Sequence, residues 1–273
     1  MDAGAIRIKV PVAAAVMAAW RSVLARPGTV LELGWLPLLA MLAALLLPTL
    51  GARYLAPAAR AAALDAGAVL DAVIGLVAVN AFAVRWYRLT LTGDPRALPR
   101  RLFARVWLRF ILYTLAIGAV GAGFFAAVWY AGLTQPAEGE AAAAATAAAG
   151  VAAVALSLAM TRASILFPAA AFGEPLGLAA GWRAMEGNSW RLFLAGFLAV
   201  LPVLLVVEIL LGQLLAAAHL GPDLALAEEP PLGFVLLDAV IEVAMRLVLT
   251  ALSASILSEF YGRIVLQRRE RER

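Results

Sequence analysis

The sequence predicts an all-α protein, a polytopic bundle of transmembrane helices with about six spans, arranged as three hairpins with short cytoplasmic interfacial helices. Apolar residues make up 64% of the 273 positions and charged residues only 15%, whereas a water-soluble domain is about half apolar and a quarter charged. Apolar stretches long enough to cross a bilayer recur along the chain, and the basic residues cluster in alternate gaps between them. We therefore expect lipid to be part of the solvent that surrounds this chain.

The lengths of the apolar stretches predict the individual spans. A helix rises about 1.5 Å per residue, so about 20 residues cross a hydrocarbon core of about 30 Å. Residues 1-273 are expected to form a single integral membrane domain. The sixth span is the weakest, because Asp238, Glu242 and Arg246 all lie inside it. The predicted spans are residues 30-50, 66-85, 108-133, 142-172, 191-216 and 232-261.

Residues 1-28 predict a short helix before the first span. Two basic residues near the N-terminus precede an apolar run that ends at Trp20, which resembles the core of a signal peptide. However, Arg21 and Arg26 follow at once, no clean small-residue cleavage site precedes them, and a full span comes next. We expect a helix at the cytoplasmic face, with Trp20 at headgroup level and the arginines among anionic lipids. A short helix packed under the bundle is the alternative.

The distribution of basic residues predicts the orientation. With a cytoplasmic N-terminus, all but four of the 22 basic residues fall on the cytoplasmic side. Arg53 and Arg60 fall outside, while Arg162 and Arg246 lie within spans. The positive-inside rule gives this asymmetry for six spans with both termini cytoplasmic, and residues 262-273 then form a basic cytoplasmic tail.

The composition also suggests the source membrane. Every basic residue except Lys9 is an arginine, and alanine is abundant. This bias is typical of a GC-rich bacterial genome. We therefore expect a multi-pass protein of the bacterial inner (cytoplasmic) membrane.

Ionisable residues inside the predicted spans form the first candidate site. A charge at the bilayer centre costs about 2.5 to 3.5 kcal/mol on insertion scales, so it usually faces the bundle interior or a wet cavity. Asp238, Glu242 and Arg246 are spaced by four residues and share one helix face. Glu242 precedes Arg246 in the favourable order for an ion pair. The candidate intramembrane polar cluster is Asn80, Arg162, Glu208, Asp238, Glu242 and Arg246.

Two main interpretations of this cluster remain open. In the first, the arginines neutralise the acids and fasten neighbouring helices together. In the second, the cluster lines a path for a solute or a proton, with Glu208 or Asp238 titrating. Three acids against two arginines leave one carboxylate formally unpaired, which favours protonation. A catalytic role is a third interpretation.

Residues 162-191 carry a motif that resembles a known family. They resemble a segment of the YciC-like proteins and of the membrane domain fused to glycerophosphodiester phosphodiesterases. There an arginine-bearing span ends in Phe-Pro, and Ala-x-x-x-Trp-Arg and Gly-Asn-x-Trp-Arg follow. The resemblance implies a multi-span inner-membrane protein of poorly defined role, without the phosphodiesterase chemistry, which belongs to a separate soluble domain. The matching residues are Arg162, Phe167, Pro168, Glu174, Pro175, Leu176, Ala180, Trp182, Arg183, Gly187, Asn188, Trp190 and Arg191.

The same segment predicts a second candidate site from its residues alone. Pro175 favours the first turn of a short helix, and Gly187 with Asn188 favours a helix end. Tryptophans prefer the membrane interface, where arginines can meet lipid phosphate. We expect an interfacial elbow here, with a ligand site as the alternative. The candidate elbow residues are Trp182, Arg183, Asn188, Trp190 and Arg191.

Enzyme and metal signatures do not occur in the sequence. It contains no Gly-x-Ser-x-Gly elbow, no Gly-x-x-x-x-Gly-Lys-Ser/Thr phosphate loop and no His-Glu-x-x-His motif. There is no cysteine and one histidine, His219, which excludes thiolate sites and sites with two imidazoles. We expect no catalytic residue, no cofactor and no metal.

Topology already explains the arginine-rich segments, so the expected partners are membrane lipids with anionic headgroups on the cytoplasmic side and not nucleic acid. The sequence names no protein partner. The expected function is that of a non-catalytic inner-membrane protein, acting in membrane organisation or as an accessory subunit. A transporter or channel for a small solute or lipid, using the acid and arginine cluster, is the alternative.

Overall fold

The computed structural model describes residues 8–95, 100–134, 140–174, 176–217 and 231–267. Within these ranges the regular elements are all helices, with no strand, so the predicted all-α bundle is confirmed. The helices are α1 (Val12–Leu24), α2 (Pro27–Ala52), α3 (Pro57–Thr92), α4 (Arg100–Thr134), α5 (Glu140–Ala163), α6 (Leu166–Phe172), α7 (Leu178–Ala184), α8 (Ser189–Ala217) and α9 (Leu232–Tyr261), and Gly262–Leu266 continues as a π-helix.

In the described part of the chain, five helical stretches are long and apolar enough to cross a membrane. Each overlaps one of the first five predicted spans. The sixth predicted span coincides with α9, which is not one of the five, so the number six stays a prediction. The five stretches are Pro27–Ala52, Pro57–Thr92, Phe103–Tyr130, Ala143–Phe172 and Ser189–Leu210.

Large apolar side chains cover the outside of these helices. On α4, Phe125, Trp129 and Tyr130 are 71%, 72% and 70% exposed. The most apolar stretch of Ala143–Phe172 contains no buried residue at all. Contiguous apolar surface of this extent is rare on a soluble monomer, whereas lipid solvates it. The chain is therefore a multi-pass helical membrane protein.

The helices group into two compact units. The first unit comprises Met1–Ala15, Ala97–Ala195 and Ile256–Arg273, and the second comprises Val16–Arg96 and Gly196–Ser255. Most of α4 to α7 belongs to the first unit, while α2, α3 and most of α9 belong to the second.

In the second unit, α2 and α3 pack against each other as an antiparallel hairpin. Their closest approach is at Gly67, where an added Cβ would overlap the ring of Pro48. At the turn, Arg60 Nε donates to the carbonyl of Ala52 over 3.2 Å, which satisfies one of the free carbonyls at the end of α2. This pair is the first of the predicted hairpins.

Helix α9 packs onto this hairpin. A Cβ at Gly34 of α2 would lie 3.1 Å from Leu247 Cδ1 and 3.6 Å from Phe82 Cε2, so Gly34 lets α9 approach closely. Further along, the fully buried Trp86 donates through Nε1 to Ser255 Oγ over 2.9 Å. Helices α2, α3 and α9 thus pack together within the second unit, which also contains most of α8.

In the first unit, the fourth predicted span is interrupted between α5 and α6. Pro168 has no N–H, and its ring crowds the carbonyl four residues earlier, so the α-helix breaks at Ser164. Ser164 Oγ donates instead to the Thr161 carbonyl over 2.7 Å. Beyond the break, Phe167 packs on Phe110 of α4 with ring centroids 4.8 Å apart. The break at Ser164 therefore turns the chain before it reaches the candidate elbow residues.

Candidate functional site

The centre of the intramembrane polar cluster is a triad of Asp71, Glu242 and Arg246, here called the Arg246 triad. Arg246 makes a bidentate pair with Asp71, with Nη1–Oδ1 and Nη2–Oδ2 distances of 3.2 and 2.9 Å. The same guanidinium donates to Glu242 Oε1 on its own helix. The Asp71 and Arg246 side chains are 14% and 31% exposed, so the pair is largely enclosed by the helices.

Local structure explains why Arg246 reaches Asp71. Gly75 follows Asp71 by one helical turn on α3, and a Cβ there would lie 3.3 Å from Arg246 Nη1. The missing side chain leaves room for the guanidinium to lie flat over α3. Thr250, which extends the row of polar residues, uses its hydroxyl to donate to the Arg246 carbonyl within α9. The triad therefore joins α3 to α9 through one arginine.

The structure brings together only part of the predicted cluster. Glu242 and Arg246 are paired, while Asp238 lies exposed one turn earlier on α9 and Glu208 lies exposed on α8. Asn80 is buried, and its amide donates to the Leu76 carbonyl of its own helix over 2.6 Å.

Sequence reasoning missed Asp71 as a member of this site. It is the one ionisable residue between Ala66 and Val84, within the predicted second span. An isolated charge at that depth needs a counter-ion, so this signal was available in the sequence.

Arg162 was predicted to join the same cluster, but its contact lies within the first unit. Its guanidinium carbon stacks over the ring of Trp182, 4.8 Å from the ring centroid. The break at Ser164 redirects the chain, and α7 packs against α5 as a result. Arg162 is therefore a partner of the predicted elbow, which the helical spacing alone did not indicate.

The elbow itself is a tight helix–turn–helix. Helix α7 ends at Ala184, Gly187 has a left-handed φ of 79°, and α8 begins at Ser189. Glycine adopts that conformation without steric cost, which explains why the chain turns there. The predicted helix start at Pro175 lies outside the described residues.

Asn188 has a role that the sequence did not predict. Its side chain is buried within the first unit, where Oδ1 accepts from the Val10 N–H over 3.1 Å and Nδ2 donates to the Ile8 carbonyl over 2.8 Å. Arg191, expected to meet lipid phosphate, donates through Nη1 to the Val10 carbonyl over 3.1 Å. These three hydrogen bonds hold the segment before α1 against the elbow.

Two polar constellations thus stand out in the described part of the chain: the Arg246 triad in the second unit and the elbow with Arg162 in the first. Comparisons with family models, with curated proteins and with solved structures find no match to this chain. Inferences about function therefore depend on the geometry and chemistry of these two constellations.

Proposed function

We propose that this chain is a non-catalytic protein of the bacterial inner membrane, acting in membrane organisation or as an accessory subunit. The observation that carries the proposal is the Arg246 triad. In the triad, Asp71 and Glu242 both bond the guanidinium of Arg246, so this group is engaged in fastening two helices.

The energetics of the pair favour a structural role. A bidentate arginine–carboxylate pair has fixed geometry and strong, charge-assisted hydrogen bonds. Neutralising opposite charges lowers the cost of placing each of them in hydrocarbon.

We also propose six spans with both termini cytoplasmic. The two contacts between α3 and α9 advance in the same direction along both helices: Asp71 meets Arg246, and Trp86 meets Ser255. The two helices therefore run parallel, as the second and sixth spans of a six-span chain must. Anionic lipid headgroups on the cytoplasmic side are the proposed partners, in keeping with the basic segments there.

The proposed family is that of the YciC-like membrane proteins. The elbow motif from Arg162 to Arg191 supports this assignment, since its Trp-Arg and Gly-Asn-x-Trp-Arg elements form one turn packed beside Arg162. This family assignment implies a multi-span inner-membrane protein of poorly defined role.

A double-mutant cycle tests the structural role of the triad. We expect Arg246→Met alone to lower the free energy of unfolding by about 3 kcal/mol, because it leaves Asp71 without its counter-ion between two helices. Asp71→Asn should cost less, because Arg246 keeps its pair with Glu242. In the double variant the loss should be smaller than the sum of the two single losses, because both changes remove the same contact. Thermal unfolding of the purified protein in detergent measures all three variants.

The control for this cycle is Arg263→Met. Arg263 pairs with Glu259 one turn earlier, and both side chains are more exposed than Asp71. Removing the Arg263–Glu259 pair should lower the free energy of unfolding by under about 1 kcal/mol, as is usual for an exposed pair. Additive losses in the Asp71 and Arg246 double variant would remove the main support for the proposal.

A transporter or channel is the second candidate function, favoured by two exposed acids. Asp238 lies one turn before Glu242 on α9, and Glu208 is exposed on α8. The triad also contains two carboxylates for one guanidinium. This candidate predicts that Glu208→Gln or Asp238→Asn leaves expression intact and abolishes proton-linked flux in proteoliposomes. Normal flux in both variants would exclude it.

A further inference from the structure

A cavity of about 390 Å³ opens beside the elbow. One wall is apolar and comes from α5, with Ala155, Leu158 and Ala159. The opposite side carries Trp182 and Trp190. All lining residues belong to the first unit. The volume lies within the usual range of small-molecule sites, so the cavity is large enough for a lipid headgroup.

Among the residues that the structure describes, Arg162 is the only charged one in the lining of this cavity. Its Nε is buried and has no hydrogen-bond acceptor among the described residues. Within that part of the chain no carboxylate pairs with Arg162 either, and its contact is the ring of Trp182. Among the described residues no carboxylate neutralises this guanidinium, so the cavity offers a positive charge to an incoming anion.

The beginning of α8 adds a second positive feature. Ser189 is the first residue of this 29-residue helix and lines the same cavity. The first N–H groups of a helix have no partner within it, and the helix dipole places a partial positive charge there. Backbone donors and an arginine facing one space are a common arrangement for binding phosphate.

We propose that this cavity binds the phosphate group of an anionic phospholipid. Arg162 and the start of α8 bind the phosphate, Trp182 and Trp190 lie beside the glycerol region, and the apolar wall of α5 contacts an acyl chain. A free phosphate ion is also an anion, but it has no group to cover that apolar wall. This inference rests on the proposed lipid partners and deepens that proposal by naming one lipid class and its site, while its evidence comes from the first unit and not from the Arg246 triad.

Lipid titration of the purified full chain in neutral detergent tests the proposal. The probes are phosphatidylglycerol, phosphatidylcholine and inorganic phosphate, and native mass spectrometry measures the bound fraction. We expect the wild-type chain to bind phosphatidylglycerol in preference to the other two. Arg162→Gln should weaken that binding by about tenfold or more, the usual effect of losing a hydrogen bond to a charged group.

Arg109→Gln is the matched control. It removes the same charge within the first unit, but Arg109 is exposed on α4 and does not line the cavity. Phosphatidylglycerol binding should stay unchanged in this variant. Equal weakening in both variants would overturn the proposal, since the lipid would then respond to net charge. Inorganic phosphate binding as tightly as the lipid would overturn the assignment to a phospholipid.

A second pair of variants keeps the test valid if Arg162→Gln does not fold. Arg162→Lys retains the charge without the planar guanidinium, and Ala159→Leu fills the apolar wall while leaving Arg162 in place. Each should weaken phosphatidylglycerol binding while circular dichroism shows unchanged helicity. Wild-type binding in both variants would overturn the proposal.

Discussion

At Asn188 a single side chain holds two backbone groups of a segment 178 to 180 residues earlier in the chain. An amide is suited to this role because it presents an acceptor and a donor together. Val10 is fully buried at this contact, so its N–H and carbonyl need protein partners. Asn188 and Arg191 supply them, which ties the start of the chain to the elbow.

We predict that Asn188→Ala releases this segment. The substitution removes two hydrogen bonds worth about 1 kcal/mol each and leaves the Val10 N–H without an acceptor. Hydrogen exchange at the Val10 amide should accelerate by about tenfold or more. Ser189→Ala is the control, since the Ser189 hydroxyl bonds only the Met185 carbonyl nearby. Unchanged exchange in Asn188→Ala would mean that the tether does not protect the segment.

At the scale of the element, the α2–α3 hairpin depends on a close helix contact. Small residues let helix backbones approach where lipid supplies no hydrophobic drive for association. Gly67 allows α3 to approach Pro48 of α2 closely, and the Pro48 ring cannot rotate away. The contact also fixes the register of the two helices, and through it the position of Asp71 one turn further along α3.

We predict that Gly67→Ala destabilises the hairpin. The added methyl group would overlap the Pro48 ring, and overpacking of this kind costs about 2 kcal/mol. The control is Gly118→Ala in α4, where nothing lies within 4 Å of the new Cβ. That change should be neutral or stabilise the helix by up to about 1 kcal/mol. Thermal unfolding in detergent compares the two, and equal stability would contradict the close packing.

At the scale of the whole molecule, the proposed six-span topology depends on the direction of α9. Because α9 runs parallel to α3, that proposal places the C-terminal end of α9 on the same side of the membrane as the end of α3. The absence of cysteine makes this testable, since one introduced thiol is the only thiol in the chain.

We predict that Asp94→Cys and Gln267→Cys label alike. Both positions are exposed, and both follow the C-terminal end of one of the two parallel helices. A membrane-impermeant maleimide should reach them only after permeabilisation of the cells. Tyr54→Cys, 90% exposed in the turn between α2 and α3, should label in intact cells. Labelling of Gln267→Cys from outside would exclude the six-span topology.

Local patterns in the sequence were sufficient to predict several features. The hydropathy pattern predicted the helical bundle, because lipid requires about 20 apolar residues for each crossing helix. The spacing of four predicted that Glu242 and Arg246 share a face, because helical neighbours are set by the backbone alone. The glycine and asparagine after α7 predicted its end for the same local reason.

Only the tertiary structure decided the partners of the key side chains. Asp71 lies 175 residues from Arg246, and their pairing depends on how closely α9 approaches α3 at Gly75. Arg162 meets Trp182 only because Pro168 breaks the helix between them. Helical periodicity specifies which face a residue occupies, but packing between distant helices determines what that face meets.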